Sequence, residues 1–262
     1  MKITSRDNSL LRHARAVRDG KVAESIYVEG LRLCEEVARS SLRIEAVIYS
    51  EQLAKKDRAA KVIRQLEAVA HKSAVISEKL LASISYTTTP QGIVAIAQEP
   101  ALNSEQFRAR QAGIPLMIIL HHLNNPVNVG AIIRTAEAAG ASGVITTAGT
   151  ANPFAPKALR GAMGAAFRLP IWTSADYAQV IDWCREHQVH TVCADVRGHI
   201  DYTDADWSRP TAIIMGAESD GLSAEEIALT DQAIRIPMKG STESLNVAVA
   251  AGILLYEASR HR

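Results

Sequence analysis

Five polar side chains follow apolar runs closely enough to form a site. Asn128 and Arg134 fall in "NNPVNVGAIIRTAEAAG" (124–140), Glu218 in "IIMGAESDGLS" (213–223), and Ser244 and Asn246 in "PMKGSTESLNVAVAAGILLYE" (237–257). Arg134 lies six residues after Asn128, near the expected start of a helix, where a cation opposes the macrodipole. Either a structural salt bridge compensates it, or it faces the mouth of a sheet and holds a phosphate or developing negative charge. Gly130 lets backbone approach closely there. Glu218 is expected at the carboxyl end of a strand, where open α/β sheets place ligands; the alternative is an ordinary exposed loop glutamate. Ser223 with Glu226 three residues on reads as a capping box, a purely structural helix start. Ser244 fits a helix N-cap. Asn246, read as helix-interior beside apolar neighbours, needs partners for its amide. The loop before it, "PMKGSTES", is rich in backbone N–H groups and can wrap a small ligand.

Strands alternating with helices must position these residues. "SIYVEG", "IEAVIYS", the start of "SAVISEKLLASIS" and "QGIVAIAQ" read as strands of a small α/β unit, with "LRLCEEVARSS" and "KDRAAKVIRQLEAVA" as amphipathic helices. A second pattern supplies the strands "PLMIIL", "GVITT", "HTVCADV", "TAIIMG" and "AIRIPM". Its helices are expected at about 129–139, 156–164, 176–187, 223–229 and 244–260. The helix from Val247 to Tyr256 is apolar nearly all round, so it is buried or sits in an interface. The expected fold class is α/β, with a mostly parallel sheet covered by helices on both faces. Domain bounds are set at 1–99, a linker at 100–113 and a second domain at 114–262.

Charge is divided between these parts. Residues 1–99 hold 16 Lys and Arg against 12 Asp and Glu, and residues 100–262 hold 13 against 16. A basic first part suits a polyanion, with Arg12, Arg15, Arg18 and Lys21 as candidate phosphate contacts. No apolar run approaches the length of a membrane span, and the basic N-terminus lacks a continuous apolar stretch, so a cytoplasmic enzyme is expected. Cys34, Cys184 and Cys193 form no CxxC and read as small buried hydrophobes. His121-His122 and His187/His190 lack metal-type partners at usable spacing, so no metal site is expected. GxGxxG after the first strand, the P-loop and GxSxG are all absent.

Taken together, "NPVNVGAIIRTAEAAG", "IIMGAESDGLS" and "IRIPMKGSTESLNVAVAAGILLYEASR" resemble motifs 1, 2 and 3 of the SpoU (TrmH-like) RNA methyltransferases, in the right order. "PKALRGAMGAAFRLPIW" resembles the segment between motifs 1 and 2, and "YVEGLRLCEEV" with "TPQGIVAIA" resembles the small substrate-binding domain of many members. One departure is Asn125-Pro126, where the family commonly has Asp-Pro. The resemblance implies a SPOUT fold with a C-terminal trefoil knot, a homodimer, and methyl transfer from S-adenosyl-L-methionine to a ribose 2′-hydroxyl of ribosomal or transfer RNA, ribosomal being favoured. It implies that Met215, Gly216, Ile236, Met238, Leu245 and Asn246 hold the cofactor. Arg134 is placed at the hydroxyl, Asn128 helps position it, and Glu218, Ser244 and Asn246 complete the site. An arginine is a poor base, so Arg134 is expected to bind the adjacent RNA phosphate and stabilise alkoxide character; a transiently neutral guanidine acting as base is the alternative. Two other readings stay open: a non-catalytic RNA-binding ribosome-assembly factor on the same scaffold, and a base-directed knotted methyltransferase.

Overall fold

The computed structural model describes residues 1–110 and 114–262; the last three positions of the expected linker lie outside them. In chain order the elements begin with α1 (Ser9–Arg18), β1 (Ser25–Glu29), α2 (Leu31–Arg39), β2 (Ile44–Ser50), α3 (Glu51–Ala54), α4 (Asp57–Val69), β3 (Lys72–Ile76), α5 (Glu78–Ile84) and β4 (Ile93–Gln98). Next come α6 (Ser104–Ala109), β5 (Leu116–Leu120), α7 (Pro126–Ala138), β6 (Gly143–Thr147), α8 (Pro156–Ala162), β7 (Ile171–Ala175) and α9 (Tyr177–Glu186). The last are β8 (His190–Ala194), β9 (Ile200–Asp201), β10 (Thr211–Met215), α10 (Ala224–Ala228), β11 (Gln232–Arg235) and α11 (Val247–Ser259). The chain divides into two compact units, Met1–Pro100 with Phe154–Phe167, and Ala101–Pro153 with Arg168–Arg262.

The first unit is built on a four-stranded sheet in the order β1-β4-β2-β3. β4 runs antiparallel to both neighbours, while β2 and β3 are parallel. Leu10, Leu11, Ala14 and Val17 recur at helical spacing, so α1 buries one stripe against Tyr27, Ile48 and Ile96. Burying each large apolar side chain of this kind stabilises the fold by roughly 1.5–3 kcal/mol. Tyr27 donates its hydroxyl to the Ile84 carbonyl at 2.6 Å, which satisfies a buried polar group.

The second unit is a seven-stranded sheet, β7-β6-β5-β10-β8-β11-β9, and every pairing in it is parallel. Its strands are near-continuous apolar runs because both faces are covered. Met117 and Ile119 of β5 pack with Ile145, Trp172, Trp183 and Ile214 on one side. Alternation turns Ile118 and Leu120 to the other, where α7 and α11 pack on each other and on the sheet. β7 and β9 are strands the hydrophobic pattern did not reveal. β9 has only two residues, and β7 meets β6 through a register shift. All three cysteines are buried and free. Because the strands are parallel, their carboxyl ends share one edge, and β10 is inserted between β5 and β8 at that edge.

Candidate active site

At that edge a cavity of about 660 Å³ opens beyond the carboxyl ends of β8, β10 and β11. Its size is ordinary for a small-molecule site. Met215, Gly216, Ile236, Met238, Leu245 and Asn246 all line it, as do Asn128, Glu218 and Ser244. Three loops far apart in the chain therefore meet in one place.

Asn128 joins two of them. Its Nδ2 donates to Glu218 Oε1 at 2.6 Å, and its Oδ1 accepts from Asn246 Nδ2 at 3.4 Å. The amide orientation is thus fixed, nitrogen toward the carboxylate and oxygen toward the second amide. Glu218 and Asn246 are exposed and Asn128 is half-buried, so the set is open to a ligand.

Two helix starts differ from the sequence reading. α7 begins at Pro126, with Asn125 as its N-cap accepting from the Val127 N–H at 2.9 Å. Asn125 keeps this capping bond although it replaces a carboxylate, and it also lines the cavity. α11 begins at Val247, and Asn246 rather than Ser244 is its N-cap, accepting from Ala248 and Val249. Asn246 is thus a capping residue and not a helix-interior amide, and its nitrogen donates to Asn128. Ser244 stands in the loop ahead of it.

Arg134 is placed differently from the expectation. With α7 starting at Pro126 it lies in the helix's second half, beyond the first turn where the macrodipole acts. It is exposed, makes no hydrogen bond or ion pair among the described residues, and does not line the cavity of its own chain. The electrostatic conflict inferred from sequence is therefore weak, and the structural salt bridge is not formed.

Among the cavity residues not singled out in the sequence is a charged pair. Asp195 and Arg197 follow β8, and the Asp195 carboxylate accepts from Arg197 through both oxygens at 2.8 Å. This bond holds the Asp195 carboxyl below the usual carboxylate range. The rule that singled out Glu218, a carboxylate at a strand's carboxyl end, applies equally to Asp195.

Of the candidate phosphate contacts in the first unit, Arg12 and Lys21 are exposed. Arg18 is committed to Asp19 at 2.8 Å and to the Ser85 carbonyl at 3.2 Å. Arg15 donates to the Arg6 carbonyl at 3.0 Å and is half-buried.

The histidine pair also differs from its reading. Glu226, 105 residues from His121, meets its Nε2 at 2.9 Å. The capping box at Ser223 is present, but Glu226 is engaged beyond it.

Residues 115–256 match the family model described as "SpoU rRNA Methylase family". The chain belongs to the SpoU family. Residues 12–95 of this SpoU chain match an MRM3-like substrate binding domain. It is 33% identical over 217 residues, 82% of its length and 89% of the relative's, to a 23S rRNA (guanosine-2′-O-)-methyltransferase, RlmB, of Bordetella pertussis. A crystal structure of an AdoMet-bound rRNA methyltransferase from Sinorhizobium meliloti is similar at 31% identity and a TM-score of 0.88, covering 100% of this chain and 98% of that one. The SpoU methyltransferase AviRb from Streptomyces viridochromogenes, in complex with AdoMet, is 28% identical with a TM-score of 0.84, covering 97% of both chains.

Proposed function

We propose that this SpoU protein transfers a methyl group from S-adenosyl-L-methionine to a ribose 2′-hydroxyl of ribosomal RNA. The observation that carries the reading is the convergence of Asn128, Glu218 and Asn246 on a cavity walled by Met215, Gly216 and Leu245. The cavity suits the cofactor on two counts. Apolar lining from Met215, Ile236 and Leu245 would hold an adenine, and polar lining groups would hold the charged amino-acid end. A Cβ at Gly216 would lie 2.6 Å from the Gly221 carbonyl carbon, so only glycine lets the two strands of this loop approach and shape the wall.

S-adenosylmethionine supplies a methyl group made electrophilic by its sulfonium. The residues of the chain then have three tasks. Asn128, which donates to Glu218 and accepts from Asn246, orients the incoming sugar hydroxyl together with Asn246. The second oxygen of Glu218 accepts a hydrogen bond from that side of the ribose. Arg134 holds the flanking phosphate and stabilises negative charge as the hydroxyl proton leaves to solvent.

Arg134 reaches a site through a second copy. Val127 lies seven residues before Arg134, so both share one face of α7. Val127 is 49% exposed, and Val249 and Tyr256 of the adjoining α11 are 53% and 52% exposed. This apolar face suits a homodimer that carries Arg134 to the partner's cavity. Membership of the SpoU family supports a C-terminal trefoil knot. A ribosomal substrate supports a cytoplasmic site of action, and among the described residues no helix is long and apolar enough to cross a membrane.

The decisive experiment incubates the protein with labelled S-adenosylmethionine and ribosomal RNA from cells lacking the gene, then maps the product. One ribose-methylated nucleotide is expected. Label on a base, or none despite cofactor binding, would remove the proposal.

A further inference from the structure

The first turn after β5 holds a second constellation of chemically capable groups, apart from the residues assigned to methyl transfer. We infer that His121, His122 and Glu226 form a binding site for a divalent first-row transition-metal ion, of which Zn²⁺ and Co²⁺ are the natural probes. Each residue offers one ligand atom, and the three atoms lie within 4.8 Å of one another. Two histidines and a glutamate, with a fourth position left to water, make a set of the kind zinc accepts. Zinc–ligand bonds of about 2.0–2.2 Å need ligand atoms about 3.2–3.6 Å apart in a tetrahedron. To admit an ion, the His121 Nε2–Glu226 Oε1 contact, 2.9 Å without one, would open by a few tenths of an ångström and the exposed His122 ring would turn off its stack on His121.

The surroundings orient the ligands as metal sites require. Glu226 uses Oε2 to accept from the Ser223 N–H at 2.8 Å, which leaves Oε1 for the ion. His121 is buried, and its Nδ1 lies 2.9 Å from Thr147 Oγ1 while its Nε2 faces Glu226. The Thr147 hydroxyl has a second acceptor, the Ala148 carbonyl at 3.4 Å. Without an ion, Nε2–H donates to Glu226 and the threonine donates to Nδ1. With an ion on Nε2, the single imidazole proton moves to Nδ1 and donates to Thr147 Oγ1, whose own proton turns to Ala148. The imidazole stays neutral throughout and no buried group loses its partner.

His122 is held in place by backbone that residues other than glycine rarely adopt, with φ at +55°. That turn stacks its ring on His121 with centroids 4.0 Å apart. A Cβ on Gly149 would come within 2.9 Å of His122 Cδ2, so glycine there makes room for the ring. The His121 N–H donates to the Met215 carbonyl at 2.9 Å, and Met215 lines the cofactor cavity. A bound ion would therefore tie α10 to the turn before α7 and stiffen one rim of that cavity.

The test uses the full-length, untagged protein stripped with a chelator. Co²⁺ alone is titrated while the visible d–d absorbance is followed, and bound metal is counted by equilibrium dialysis. One Co²⁺ per chain with the intense bands of a tetrahedral ion is expected, displaced by Zn²⁺. His122→Ala and Glu226→Gln should each weaken binding tenfold or more, and His199→Ala should leave it unchanged. The readout is metal content and spectrum, so it stands whether or not the methyl-transfer reading holds. Absence of stoichiometric Co²⁺, equal binding by wild type and His122→Ala, or loss of binding in His199→Ala would overturn the inference.

Discussion

Asn128 is the hinge of the proposed chemistry, because a single amide holds both a carboxylate and a second amide in register. Replacing it with aspartate removes the donor to Glu218 and sets two carboxylates against each other. Asn128→Asp should lower turnover by roughly 10²–10³-fold, as losing an oriented donor at a reacting oxygen does, while equilibrium binding of S-adenosylmethionine persists. Arg134 separates activity from folding more sharply. It is exposed and unpaired among the described residues, so Arg134→Ala should shift stability by no more than about 0.5 kcal/mol in a denaturant titration. Methyl transfer should nevertheless collapse, and mixing this variant with Asn246→Ala should recover activity if a partner copy supplies the arginine. Near-normal turnover of Arg134→Lys would remove its proposed role. Asp195 gives a pH signature. Its hydrogen bonds from Arg197 depress the folded-state value below the ordinary 3.8. The stabilisation is complete above that ordinary value and is lost as pH falls through the depressed one. Thermal melts followed as pH falls below about 4 should decline less steeply in Asp195→Asn than in wild type.

At the scale of elements, Asn246 does two tasks that two substitutions can divide. Asn246→Ala should cost about 1 kcal/mol through the lost cap of α11. Asn246→Ser keeps an oxygen for the cap but has no amide for Asn128, so melting should stay near wild type while turnover falls. In the 216–222 loop, Gly216→Ala would place its Cβ against the Gly221 backbone. Such overpacking costs about 1–3 kcal/mol, and calorimetry should show weaker cofactor binding. The apolar strands and amphipathic helices were legible in the sequence because burial on one or two faces writes a period into the chain. Helix starts were less so. Asn125 and Asn128 are equally good caps by residue type, and only backbone geometry decided for Asn125. Asn246 was misread for the same reason, since the apolar run it borders does not mark its own first residue. β9 is too short to show alternation, and β7 carries Ser174 at φ +54°, which breaks its pattern. The His121–Glu226 pairing was beyond reach, because a separation of 105 residues is set by strand order and not by local spacing.

For the whole molecule, the excess positive charge of the first 99 residues predicts a salt-sensitive hold on RNA. Arg12 and Lys21 are the exposed members of the candidate set, since Arg15 and Arg18 are spent on internal partners. Arg12→Glu with Lys21→Glu should reduce the slope of log affinity against log salt by about one for each contact removed. Unchanged slopes in filter-binding titrations would place the RNA path elsewhere. The strand order has a further consequence for how the protein is made. β10 lies between β5 and β8, yet it is synthesised after both. A nascent chain that has emerged only as far as Ala194 therefore holds β5 and β8 with bare edges facing a gap. The centre of the sheet is filled only after both of its flanking strands are made, and until Thr211–Met215 arrives those edges are open to chaperones or to another chain. Polypeptides halted before Thr211 should be digested rapidly by protease in the second unit, whereas chains extended past Met215 gain protection there.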